Sequence, residues 1–156
     1  MKIIVREATK ADAACISSLN TDVQAVHASA VPWFKPAGPD TFPPDVAALL
    51  LDEPTNLMFL AEVESSPVGY VYAEIIDQPE TSFSYAYQMI YIHHISVRPT
   101  HRRQGVGRAL LEAVQKAASS RGIHTISLDV WTFNDAARAF FSRSGFTARS
   151  ERLWKH

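Results

Sequence analysis

Between Val97 and Arg108 the chain passes from a β-branched run, through a basic turn with two glycines, into an amphipathic helix. No other stretch limits the fold so tightly. Pro99 ends the strand, because it fixes φ and has no N–H to donate. Val106, Leu110, Ala113, Val114 and Ala117 then recur at helical spacing and mark one face of a helix from about Arg103 to Ser120. Gly122 suits its C-terminal cap. Arg98, Arg102, Arg103 and Arg108 are four of the fifteen Lys and Arg residues in a chain of formal net charge −1. A helix N-terminus offers unpaired N–H groups and partial positive charge, which favour anions. Glycine lets backbone approach a phosphate closely, and arginine adds forked, charge-assisted bonds. The turn therefore reads as a diphosphate cradle. The plainer reading is a solvated basic helix start.

Composition narrows the partners. The 156 residues, 47% of them hydrophobic, suit a single domain, 1–156, with a sizeable core. A near-neutral balance argues against nucleic-acid binding, which usually needs a strongly basic surface. Apolar runs such as Val46 to Leu51 are too short to cross a bilayer, and the first residues lack a signal peptide's apolar stretch. One cysteine, Cys15, forms no internal disulfide and leaves a structural zinc site short of ligands, so we expect no metal and a cytoplasmic location.

The remaining elements follow from local signals. Ile3 to Glu7 reads as a strand, and Thr9 with Asp12 as a capping box opening a helix over Lys10 to Ser29. Val31 to Pro44 holds five of the nine prolines together with Trp33, Phe34 and Phe42, so it reads as an extended loop. That loop is either a pinned connection or a wall of an acceptor pocket. A short helix over Asp45 to Leu51 comes next. Leu57–Val63, Val68–Ile76 and Tyr85–Val97 read as a three-strand meander, with a hairpin turn at Glu64-Ser65-Ser66-Pro67. After the central helix come a strand over His124 to Trp131, a helix capped by Asn134, and a last strand over Phe146 to Trp154.

The turn is neither a nucleotide P-loop, which needs Gly-x-x-x-x-Gly-Lys-Ser/Thr, nor a Rossmann turn, since the residue three after Gly107 is Leu110. Instead Arg102-x-x-Gly105-x-Gly107, following Ile95-Ser96-Val97-x-Pro99, resembles the acetyl-CoA-binding motif of the GNAT superfamily of N-acetyltransferases. A second signature of that family lies downstream in Asn134-x-x-Ala137-x-x-Phe140-Phe141-x-x-x-Gly145-Phe146. The element order agrees over essentially the whole chain. The resemblance implies an α/β (α+β) fold, with a mixed, mostly antiparallel, splayed central sheet flanked by helices. It implies acetyl-CoA as co-substrate and a small-molecule or peptide amine as acceptor, and homodimers are frequent in the family. By the same resemblance, the N–H groups of Gln104, Gly105, Val106, Gly107 and Arg108 hold the CoA pyrophosphate, with Arg102 and Arg103 in the same turn. The backbone of Ile95 and Val97 pairs with pantetheine, Asn134 and Phe140 line that channel, and Arg143 reaches the adenosine end.

The family's reaction is direct attack of an amine on a thioester. It needs a base, an oxyanion donor (the backbone N–H near Val97) and often an acid. The family's usual acid is a tyrosine where this chain has Phe141, which has no proton to give. Either the thiolate leaves unaided or Tyr91 substitutes. Without an acid, a CoA-binding regulatory module or pseudo-enzyme is the alternative. Candidate bases are Asp129, His93 and His94. Because successive strand residues face opposite sides, at most one histidine should face the slot unless a bulge intervenes. Trp33, Phe34, Tyr85, Tyr87 and Trp131 are candidates for shaping an acceptor pocket, with Asp77 and Glu80 as the nearby acidic pair. A Ser96-His94-Asp129 hydrolase is a remote third reading.

Overall fold

A computed structural model describes residues 1–38 and 41–156. Five strands form one open sheet in the order β1-β2-β3-β4-β5. They are β1 (Ile3–Glu7), β2 (Asn56–Val63), β3 (Ser66–Gln78), β4 (Tyr87–Val97) and β5 (Ile126–Leu128). Every neighbouring pair is antiparallel except β4 with β5, which run parallel. Four helices flank the sheet: α1 (Ala13–Ala30), α2 (Pro44–Asp52), α3 (Val106–Ser120) and α4 (Asp135–Arg143). The expected mixed, mostly antiparallel sheet is therefore present.

Strand alternation builds a core on each side of the sheet. Val71 and Ala73 of β3 turn toward α3 and meet Leu110, Leu111 and Val114. Tyr70 and Tyr72 turn the other way, among Ile16 and Leu19 of α1 and Ala47 of α2. The β2–β3 hairpin turns on two residues, Glu64 and Ser65, both with positive φ, as a twisted two-residue hairpin requires. Pro67 then sits beside a bulge, where a missing N–H costs least.

The structure departs from the sequence reading near the C-terminus. The strand expected over His124 to Trp131 shrinks to Ile126–Leu128, because β4 pairs with it only from Ile90 to Ile92. The strand expected over Phe146 to Trp154 does not form. Residues 147 to 156 are exposed throughout, so no buried face rewards a ladder there. Phe146 instead packs on the α3-side core. The proline-rich segment is irregular as expected where it is described; Pro39 and Asp40 lie outside the described residues.

A side-chain cluster locks the start of α1 to the sheet. The Arg6 guanidinium on β1 grips both carboxylate oxygens of Asp12, at 2.9 Å each, and reaches Glu62 on β2 at 2.8 Å. The Thr9 N–H also donates to Asp12, at 2.8 Å, which is half of the expected capping box. The Arg6 bonds hold the Asp12 carboxyl at about 2, well below its ordinary value. A carboxyl lowered on folding contributes stability above its unfolded pKa and loses it as the pH falls through the folded value. Asp12→Asn should therefore lower stability at pH 7 by about 1–2 kcal/mol, after discounting for the exposure of Arg6. Denaturant titrations from pH 7 to pH 3 should show the difference between variant and parent narrowing from pH 4 downward.

Candidate active site

Parallel pairing between β4 and β5 ends at Ile92 and Leu128. Beyond it the strands diverge, and β4 continues through Ile95 and Val97 with no neighbour on that side. The Arg98 N–H donates to Val68 O at 2.8 Å. Antiparallel alternation then turns the N–H and C=O of Ile95 and Val97 away from β3 and into the gap. The Val97 carbonyl accepts Arg102 Nε there, at 3.1 Å.

That gap is a cleft of about 880 Å³. Ile95, Val97, Arg102, Arg103, Gly105, Gly107, Arg108, Asn134, Phe140 and Arg143 all line it. Gln104 and Val106 do not line it. The Val106 side chain is buried in the core, and Gln104 Nε2 donates to Thr100 O at 3.0 Å. The N–H groups of Gln104, Gly105, Val106, Gly107 and Arg108 donate to no backbone carbonyl among the described residues. Arg103 (φ 63°) and Gly105 (φ 89°) adopt left-handed conformations, the kind of backbone turn from which anion-binding concavities are built. A Cβ on Gly107 would meet the Phe140 ring at 3.5 Å, so glycine keeps the cleft floor open. The donor set suits a diphosphate. Asn134 caps α4 by accepting the Ala137 N–H at 3.1 Å, which leaves its Nδ2 directed elsewhere.

Of the catalytic candidates only Val97 lines the cleft; Tyr91, His93 and His94 precede Ile95 on β4, and Asp129 follows β5. A bulge lies opposite Tyr72 and Ala73, which pair with His94 and Ile92 and leave His93 as the extra residue. The bulge brings both histidines onto the Tyr72 face. His93 stacks on Tyr72 at 4.6 Å, and His94 meets the same ring edge-on at 5.5 Å. Their surroundings differ. Burial, and then the charges of His93, Lys35 and His27, push His94 down to about 4, so it is neutral near pH 7. Asn20 donates to the Tyr70 hydroxyl at 2.8 Å, and that hydroxyl lies in hydrogen-bond contact with His94 Nδ1 at 3.1 Å. His93 Nε2 instead lies 2.7 Å from Glu74 Oε2.

Tyr91 and Asp129 join in one pair: the tyrosine hydroxyl donates to the carboxylate at 2.5 Å. Burial and this bond push Tyr91 up to about 12. Its ring edge also meets His93 at 4.8 Å. Sequence reasoning missed Glu74, since its place opposite Tyr91 depends on the β3–β4 register. Asp77 pairs with Gln88 further along the hairpin and Glu80 is exposed, so neither is the nearest carboxylate. The hydrolase reading fails. The Ser96 hydroxyl is buried and donates to Leu19 O at 2.7 Å, while His94 and Asp129 bond Tyr70 and Tyr91. Phe141 is buried in the cleft wall against Phe140 and Phe146. Trp33, Phe34 and Trp131 come together, whereas Tyr85 projects into solvent, 86% exposed. Among the described residues no His, Cys, Asp and Glu group is suited to a metal, and no helix is long and apolar enough to cross a membrane.

Known proteins resemble this chain in sequence or in fold. Human N-acetyltransferase 8 is 30% identical over 102 residues, 65% of this chain and 43% of its own length. The chain thus spans less than half of that relative. An X-ray structure of a tetramutant protein from Bacillus halodurans superposes with a TM-score of 0.94 at 22% identity, covering 98% of this chain and 99% of that one. A predicted acetyltransferase from Clostridium acetobutylicum, solved with acetyl-CoA, superposes with a TM-score of 0.75 at 20% identity, covering 99% and 96%. Residues 23–146 match the acetyltransferase (GNAT) family, and the chain belongs to it.

Proposed function

We propose that this protein transfers the acetyl group of acetyl-CoA to a primary amine of a small molecule or peptide by direct attack. One observation carries the reading: five unpartnered N–H groups at the start of α3 open onto a β4 edge whose backbone faces the cleft. The Gln104–Arg108 donors hold the pyrophosphate, with Arg102, Arg103 and Arg143 supplying charge along the cleft. Ile95 and Val97 pair with the pantetheine arm as with an added strand. Phe140 and Asn134 form the opposite wall. Acetyl-CoA supplies the activated acyl group.

His93 takes the proton of the attacking ammonium, held in place by Glu74 at 2.7 Å. His94 serves poorly as a base, because a group held at about 4 gains little by accepting a proton near pH 7. The Val97 N–H donates to the carbonyl oxygen as charge develops on it. The Tyr91 proton is engaged by Asp129, so the leaving thiolate departs without a protein acid. That is tolerable for a group whose ordinary pKa is near 8.5.

A thiol-release screen with acetyl-CoA against amino acids, polyamines, aminoglycosides and N-terminal peptides should find at least one amine acceptor. Thermal stabilisation by acetyl-CoA with no thiol release for any amine would instead mark a CoA-binding module, the reading that Phe141 favours. Gly105→Glu places bulk and negative charge in the cradle and should abolish acetyl-CoA binding in calorimetry; micromolar binding by the variant would overturn the cradle. His93→Gln should lower kcat/KM by about 10²- to 10⁴-fold, the usual contribution of a positioned base. Asp129→Asn should leave the shape of the pH–rate profile unchanged; a lost limb would make Asp129 the base.

A further inference from the structure

All three tryptophans of the chain, Trp33, Trp131 and Trp154, meet on one surface with Phe34, Phe133 and His27. The rings come from the end of α1, the loop after it, the segment between β5 and α4, and the C-terminal residues. Trp131 stacks on Phe133 at 5.7 Å, Phe34 meets Trp131 edge-on at 6.1 Å, and Trp33 meets Trp154 at 5.8 Å. A core would hide such rings. Here Trp33 is 58% exposed, Trp154 50% and Phe34 46%. A contiguous apolar patch kept in water usually marks a binding surface.

Its position gives it a use. Trp131 follows Asp129 by two residues, and Phe133 directly precedes Asn134 of the cleft wall. Val23 and Val26, on the α1 turn before His27, also line the cleft. The rings do not line the cleft but border it through these chain neighbours. Charge on this surface is arranged in one sense. Lys35 Nζ lies 5.1 Å over the Phe34 ring. The Asp129 carboxylate, bonded by the Tyr91 hydroxyl, is two residues from Trp131. An ammonium is welcome beside Asp129 and against ring faces, whereas a second cation at the Phe34 ring meets Lys35.

We propose that the acceptor is a small monoamine with an aromatic or apolar body, seated with its ammonium toward Asp129 and its body on the Trp131, Phe133 and Phe34 rings. This rests on the acetyl-transfer reading above and narrows its substrate class. Polyamines and aminoglycosides, with several cationic centres, are disfavoured by Lys35 at the Phe34 ring.

The test compares phenethylamine, ethylamine, spermidine and an aminoglycoside as acceptors in thiol release. It adds a titration of intrinsic tryptophan fluorescence, which comes entirely from this surface. Phenethylamine should exceed ethylamine in kcat/KM by about tenfold or more, as expected for one buried ring. Trp131→Ala should lower kcat/KM for phenethylamine at least about fivefold more than for ethylamine, mainly through KM, with Trp131→Phe restoring most of the difference if the alanine variant folds poorly. Phenethylamine should shift the emission of the parent protein at concentrations where ethylamine does not. Preference for spermidine or the aminoglycoside would overturn the proposal, as would equal loss for both amines in Trp131→Ala. Emission that depends on protein concentration together with a dimer in sedimentation would also overturn it, by giving the rings to a second copy. If no amine releases thiol but phenethylamine still shifts emission, the acetyl-transfer reading fails while the aromatic amine site stands.

Discussion

Strand β4 has a partner on both sides only from Ile90 to Ile92. Past that point β3 continues to pair and β5 does not. An unpaired strand edge within a sheet is ordinarily a liability, because its N–H and C=O groups seek partners. Here the exposed edge is short, it lies inside a cleft, and Arg102 covers the Val97 carbonyl. The divergence also gives α4 room to place Phe140 against Gly107, which forms the second wall. Were β5 to pair along all of β4, the cleft would close and the N–H groups at the start of α3 would face protein.

The cradle depends on how closely α3 lies on the sheet. A Cβ on Gly69 would come within 2.8 Å of the Ser96 carbonyl and 3.2 Å of Val106 Cγ1. Glycine on β3 thus lets the first turn of α3 settle onto the β3–β4 pair. Val106 follows Gly105 and is 1% exposed, so it anchors the turn while its neighbours stay in solvent. On the other face, Arg98 reaches Asp22 and Ser18, and Ser96 bonds Leu19 O. These contacts fix α1 beside the end of β4 and set one wall of the cleft through Val23 and Val26. Packing on both sides of the sheet therefore positions the site.

Features carried by neighbouring residues were legible in the sequence. The strand-turn-helix at Val97 to Ser120 shows because proline, glycine and helical periodicity act within a few residues of one another. The Asn134 cap shows for the same reason. What escaped depends on partners distant in the chain. Residues 147 to 156 carry a fair strand composition, but no element offers them a buried face. Glu74 has no local mark as a functional residue. Only the β3–β4 register, 19 residues apart at this contact, brings it to His93. The ring surface likewise joins residues 27 and 154, which no short window connects.

The two histidines show most clearly how one backbone irregularity decides chemistry. In a regular strand, His93 and His94 point to opposite faces. The bulge places both rings on Tyr72, yet it leaves them with different neighbours. His94 turns inward to the Tyr70 hydroxyl and loses its basicity to burial. His93, the residue without a cross-strand partner, stays near solvent beside a carboxylate. Two adjacent residues of one type thus become a buried partner of Tyr70 and a more exposed partner of Glu74. Without the bulge the two rings would fall on opposite faces of the sheet, so its position, rather than the presence of histidine alone, decides which neighbours each of them has.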